Sequence, residues 1–201
     1  MTKKPKNHGF KKLSSKFESA LIFATKLHAT QTRKGNDVPY ISHLMAVSGL
    51  VLEAGGTEDE AIAALLHDAA EDQGGKKMLK RIRSHYGDAV AEIVDQCTDA
   101  YSKPKPPWRK RKEKYIADIP HKTPSARLVS LADKVHNAQA ILRDYKVVGE
   151  ELWDRFNGTK ENTLWYYREL AEKFKENMKS PLVSELDQIV KAIYDLAGGG
   201  R

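Results

Sequence analysis

Apolar positions recur at helical spacing along almost the whole chain. Phe17, Leu21, Ala24 and Leu27 follow one another every three or four residues. They predict a helix opened by the capping-box signature Ser15-Lys16-Phe17-Glu18 and ending near 28–30. A polar loop from Thr32 to Tyr40 follows, with Gly35 to permit a turn and Pro39 ahead of the next helix. That helix takes in Ser42 to Val47 and stops at Gly55-Gly56. Thr57-Glu58-Asp59-Glu60 is a second capping box and opens a central helix, ended by Gly74-Gly75. Shorter helices are expected near 77–86 and 88–96. Pro104, Pro106 and Pro107 forbid a helix over 102–107, and Pro107 suits the start of one running from Trp108 to about Ile119. Pro120 ends that helix, and Pro124 starts a long one with Leu128, Leu131, Val135 and Ile141 on an apolar stripe. Helices near 150–156, 161–178 and 180–196 complete the chain. No segment alternates with period two, and there is no internal repeat or coiled coil. The pattern predicts an all-α fold, one domain of about ten helices over 14–197. Residues 1–13 read as a flexible basic arm and 198–201 as a flexible end.

The central helix carries chemistry. Its apolar run Ala63–Asp72 holds His67, Asp68, Glu71 and Asp72 within six positions. At 3.6 residues per turn, His67 stacks over Glu71 and Asp68 over Asp72, which puts all four on roughly one side. Burying three carboxylates and an imidazole beside alanine and leucine is costly unless they are paired or bind a metal. A solvated helix end explains the same pattern, so other parts of the chain must decide.

Charge and composition narrow the choice. The net charge is +7, but it is concentrated: residues 1–12 hold five lysines and no acid, and 103–114 hold seven basic residues and one acid. The remainder is slightly acidic, which favours a specific anionic ligand over a uniformly basic nucleic-acid surface. A single cysteine, Cys97, excludes an internal disulfide and fits the cytoplasm. No apolar run is long enough to span a membrane, and no apolar segment follows the basic N-terminus to make a signal peptide.

Further candidate ligands lie outside the central helix. His43 sits on the preceding predicted helix, and Asp133 sits within Leu131-Ala132-Asp133-Lys134-Val135-His136-Asn137 on the apolar-striped helix. A carboxylate in such a stripe needs a partner. With His67 and Asp68 these make a mixed nitrogen/oxygen set with room for water, suited to Mn²⁺ or a similar divalent ion more than to a closed zinc site.

His43 … His67-Asp68 … Asp133 resembles the HD-domain metal-dependent phosphohydrolases. The blocks Arg33-Lys34 … Pro39-Tyr40-Ile41-Ser42-His43, Ala64–Asp72 and Leu131–Asn137 resemble the hydrolase half of the RelA/SpoT alarmone enzymes and the stand-alone small alarmone hydrolases. Pro107–Ile116 and Leu164-Trp165-Tyr166-Tyr167 are similar to the small bacterial branch. Leu44 after the first histidine, Gln73 after the Glu-Asp pair and Ser130 before Leu131 depart from the usual family residues without removing a ligand.

The resemblance implies hydrolysis of the 3′-pyrophosphate of (p)ppGpp or (p)ppApp. It implies His43, His67, Asp68 and Asp133 as metal ligands, with Glu71 and Asp72 positioning or deprotonating water. It places Arg33 near the base, Lys34 in the substrate pocket and Asn137 near the ribose or base. Lys105, Arg109 and Lys112 are candidates for the 5′-phosphates. Tyr166, Tyr167, His28, His85, His121 and His136 read as structural. A homo-oligomer and a cognate alarmone-synthetase toxin, with this chain as antitoxin, are possible partners for such a hydrolase. Two other readings compete: an HD-type nucleotidase or phosphodiesterase on another nucleotide, and a non-catalytic nucleic-acid-binding helical module using the two basic patches.

Overall fold

The computed structural model of the chain describes residues 12–101 and 104–198. Most of the expected arm, Lys103 and the last three residues of the expected end lie outside them. Ten α-helices are present among the described residues: α1 (Ser15–Leu27), α2 (Ile41–Glu53), α3 (Glu58–Leu66), α4 (Ala69–Asp72), α5 (Gly75–Tyr86), α6 (Asp88–Cys97), α7 (Trp108–Asp118), α8 (Pro124–Val148), α9 (Lys160–Asn177) and α10 (Pro181–Ala197). Short 3-10 turns cover Ile119–His121 and Gly149–Arg155. The described residues contain no strand beyond one isolated bridge, Thr32 to Pro39, which closes the loop before α2. None of the helices is long and apolar enough to cross a membrane.

Local signals set most boundaries. Thr57 and Glu60 form the reciprocal capping box expected at the start of α3. Pro124 occupies the first turn of α8, and Thr123 caps it by accepting from the Ala126 N–H. The first helix is capped one residue earlier than expected. Ser14 accepts from Lys16 N, and the carboxylate that accepts from the cap N–H is Glu58 of α3, while Glu18 stays in the first turn of α1.

The centre of the molecule is the packing of α3 and α8 with α2 and α6. Every residue of α3 from Ala61 to Leu66 is buried. Ala61, Ala63 and Ala64 are small, which lets α2 and α8 approach closely, and Ile62, Leu65 and Leu66 fill the remaining space. Close approach of these helices brings a side chain from each into one centre.

The central helix does not run to Asp72. It stops at Leu66, turns through His67 and Asp68, and resumes as the four-residue α4. The expected alignment of His67 over Glu71 and Asp68 over Asp72 on one continuous helix is therefore corrected.

Candidate metal centre and substrate cavities

His43 comes from α2, His67 and Asp68 from the turn between α3 and α4, and Asp133 from the middle of α8. Ligand atoms of His43, His67 and Asp133 all lie within 4.8 Å of one another. His43 Nε2 is 3.2 Å from Asp133 Oδ1, and His67 Nε2 is 3.6 Å from the same oxygen. Asp68 joins through Oδ2, which is 2.9 Å from His67 Nε2 and 3.8 Å from His43 Nε2.

The tautomer of His67 follows from its partner. Its Nδ1 lies 2.8 Å from the Ala64 carbonyl, which can only accept, so Nδ1 carries the proton. Nε2 then faces the two carboxylates. It is buried and makes no aligned hydrogen bond despite its nearness to Asp68. Burial alone would lower the pKa of His67, but Asp68 and Asp133 outweigh it and hold it well above its ordinary value. Burial also opposes ionisation of those carboxyls. The His67 charge beside Asp68, and the Lys134 ammonium beside Asp133, more than offset it and keep both low. Burial pushes His43 down, leaving a neutral imidazole. Two ionised carboxylates and two imidazole nitrogens aimed at one point can hold a cation in place of the His67 proton, and the unaligned buried nitrogen suits a metal ion. The residues present fit a divalent ion.

A surrounding layer holds these groups. The Tyr40 hydroxyl donates to Asp68 Oδ2 at 2.5 Å, and its ring stacks on His28 at 5.3 Å between centroids. His43 Nδ1 pairs with His136 Nδ1 at 2.8 Å. Asn137 donates to Asp133 Oδ1 at 2.6 Å and accepts from Arg33 at 2.7 Å. Asn137 lies one turn after Asp133 on the same face of α8, so an arginine in the loop before α2 is tied to a metal-facing carboxylate through one amide.

Two cavities flank the centre and share Asn137. The outer one, about 580 Å³, is lined by Arg33, Lys34, Tyr40, His136, Phe156 and Tyr167 among others. The inner one, about 150 Å³, has Glu71, Asp99, Lys112, Ser130 and Lys134 around the faces of His67, Asp68 and Asp133. The outer cavity combines planar and cationic groups, and the inner one is almost wholly polar.

The other expected site residues are distributed unevenly. Glu71 enters the inner cavity, where Oε2 accepts from the Asp99 N–H at 3.0 Å and Oε1 pairs with Lys105. Asp72 turns the other way and accepts from Gln31 at 2.9 Å. Burial raises its pKa; Gln31 opposes the rise, and the Asp68 and Glu71 charges add to it. Lys34 lines the outer cavity and donates to Asn157. Lys112 lines the inner one, bonded to Asp99 at 3.2 Å, and burial lowers its pKa. Arg109 lines neither cavity. It lies 3.2 Å over the Trp165 ring and bonds to Glu113 and Asn162, so its guanidinium is committed to α7 and α9. Tyr40, Asp99, Lys134, His136 and Tyr167 belong to the site and were not assigned to it by pattern. Of these, Tyr40, Lys134, His136 and Tyr167 lie within the blocks that carry the resemblance, and Asp99 had no signal.

The HD domain family matches residues 20–173, and the chain belongs to that family. Its relatives are specific. It is 38% identical over 137 residues to the Xenopus tropicalis protein named guanosine-3′,5′-bis(diphosphate) 3′-pyrophosphohydrolase MESH1, an alignment covering 67% of this chain and 72% of that one. The Homo sapiens protein of the same name is 36% identical over the same shares. A solved structure described as a metazoan ortholog of SpoT that hydrolyzes ppGpp superposes with a TM-score of 0.71 at 28% identity, covering 89% of this chain and 95% of that chain. A Listeria monocytogenes EGD-e structure at 24% identity has a TM-score of 0.67, covering 76% of this chain and 99% of that one, and shares the fold.

Proposed function

We propose that the protein is a metal-dependent 3′-pyrophosphohydrolase of ppGpp-type alarmones, releasing pyrophosphate and a nucleotide with a free 3′-hydroxyl. The observation that carries the reading is the convergence of His43, His67, Asp68 and Asp133 beside Glu71, in a chain similar to proteins named for that reaction. The mixed imidazole and carboxylate set favours Mn²⁺. A divalent ion held there supplies Lewis acidity toward a phosphoryl oxygen and acidifies water.

The remaining steps fall to side chains. Asp72 is one of two carboxylates available to take a proton from water. One of its oxygens accepts from Gln31, and its raised pKa makes it a stronger proton acceptor than an ordinary aspartate. Glu71 is tied at both oxygens by Lys105 and the Asp99 amide, so it orients water and substrate from a fixed position. Arg33, Phe156 and Tyr167 offer flat surfaces for a purine in the outer cavity. Lys112 and Lys134 give the inner cavity positive charge for the departing diphosphate. Asn137, at the junction, spans from the nucleoside side to Asp133. The same activity equips the chain to oppose an alarmone-making synthetase toxin in the cytoplasm.

The test is incubation of the purified full chain with Mn²⁺ and ppGpp, following phosphorus products by ion chromatography. Pyrophosphate and GDP in equal amounts, lost on chelation, are expected. Orthophosphate alone, or no product with any divalent ion, overturns the reading.

A further inference from the structure

The outer cavity contains one acid whose oxygens are held only by long ion pairs. Asp144 lines it, partly buried, and accepts no hydrogen bond from any described residue. Its Oδ2 pairs with Arg155 at 3.5 Å and its Oδ1 with Arg143 at 3.8 Å, both long contacts that a base donor at hydrogen-bond distance could supplant. Arg155 is fixed in place from behind. Its stem lies across Gly35, where an added Cβ would stand 2.4 Å from Arg155 Cδ. Gly35 belongs to the loop that also carries Arg33, so the two guanidinium groups share one support.

Position along α8 gives Asp144 its meaning. Asp133, Asn137, Ile141 and Asp144 follow at intervals of four, four and three residues and share one face of the helix. Eleven residues at 1.5 Å each separate Asp133 from Asp144 by about 16 Å. A purine nucleotide with its 3′-phosphate at the metal centre, lying along α8, has a length of this order and brings the far edge of its base to Asp144. That edge differs between the purines. Guanine presents two donors, N1–H and the 2-amino group, beside the acceptor O6. Adenine presents the acceptor N1 beside its 6-amino group. A carboxylate with no donor of its own, next to a guanidinium, complements guanine and repels the adenine N1.

We propose that Asp144 reads the N1 and 2-amino donors of a guanine base, with Arg155 on O6, and gives the protein its preference for guanine over adenine. The inference rests on the nucleotide reading given above.

Hydrolysis of ppGpp and ppApp by the native chain and by Asp144→Ala tests it, together with calorimetric binding of GDP and ADP to the same proteins without metal. The native chain should favour guanine in both measurements. Asp144→Ala should lose about tenfold to a hundredfold in kcat/KM for ppGpp, with a much smaller change for ppApp. Asp144→Asn keeps the side-chain shape, adds donors, and should narrow the preference in a folded protein. Equal use of both purines by the native chain, or an unchanged ratio in both variants, overturns the inference. A GDP preference that vanishes in Asp144→Ala, with neither alarmone hydrolysed, sustains the role of Asp144 while overturning the proposed activity.

Discussion

Replacing Tyr40 with phenylalanine deletes one hydroxyl and leaves the ring. That ring stacks on His28 and meets His43 edge-on at 5.5 Å, so packing around α2 is retained. The hydroxyl is a committed donor. Burial first, then the Asp68 charge, pushes the Tyr40 pKa far above that of a free phenol, so the proton stays on oxygen. The bond it makes to Asp68 Oδ2 is charge-assisted, and such bonds contribute about 1.5–3 kcal/mol. The same oxygen faces both imidazoles, so the hydroxyl fixes the orientation of the carboxylate toward the metal position. Without it Asp68 is freer to close as an ion pair on His67, its nearest cationic partner in the metal-free protein. Metal affinity should fall by about tenfold to a hundredfold, the range for loss of a group that orients a ligand. Titration of Mn²⁺ into native and Tyr40→Phe protein, reading the free ion by electron paramagnetic resonance, gives both dissociation constants. Thermal melting of the metal-free proteins should show a midpoint lowered by no more than the several degrees that one such bond accounts for. Affinities within twofold of each other, or a large drop in the metal-free midpoint, would refute the reasoning and make Tyr40 a packing residue.

Asp72→Asn should keep metal affinity and lower turnover by about a hundredfold or more, since proton abstraction by a placed group contributes on that scale. The native enzyme needs Asp72 ionised. With its pKa raised, kcat/KM should fall as pH drops through a value above the ordinary aspartate range, and this limb should be missing in Asp72→Asn. Leu66→Ala removes a side chain fully buried between helices and should cost about 2–5 kcal/mol, measured by urea unfolding. Gly35→Ala meets both a positive φ of 82° and the Arg155 stem, so it should raise KM by displacing Arg155, with about 1 kcal/mol or so of stability lost. Steady-state kinetics beside a melting curve separates the two effects, and an unchanged KM would show that Arg155 does not touch substrate.

Helix positions were legible because their signals are local. The Thr57 to Glu60 box, Pro124 and the apolar stripe of α8 each act within one or two turns, and each is found where the pattern places it. His43, His67 and Asp133 were legible as a set because charged or imidazole side chains inside apolar stripes demand partners, and the three meet. The surrounding layer was not legible. Tyr40, Asp99 and His136 reach the site only through tertiary packing, and nothing in their neighbours' spacing distinguishes them from ordinary loop or helix residues. The basic block shows the limit most clearly. Seven cations within 103–114 suggest a phosphate clamp. The fold divides them instead: Lys112 turns inward to Asp99, Lys105 to Glu71, and Arg109 to Trp165. A charge count gives the total, whereas the direction of each side chain is set by what Glu71, Asp99 and α9 present to it.

The interruption of the central helix explains why four ionisable groups in six positions do not repel one another into solvent. On an unbroken helix their side chains would project from a single face. Three carboxylates would then share one environment, each raising the pKa of the others. At Asp68 the backbone takes φ −94° and ψ −6°, a turn at the edge of the right-handed helical region. Buried Ala69 and Ala70 anchor the segment after it. The turn separates the acids by partner. Asp68 faces imidazoles and a tyrosine hydroxyl, Glu71 faces a lysine and a backbone amide, and Asp72 faces a glutamine amide. Cationic and charge-matched neighbours hold Asp68 ionised, while partial burial with a neutral partner leaves Asp72 with a raised pKa. Two aspartates four residues apart thereby have their pKa values moved in opposite directions, Asp68 down and Asp72 up.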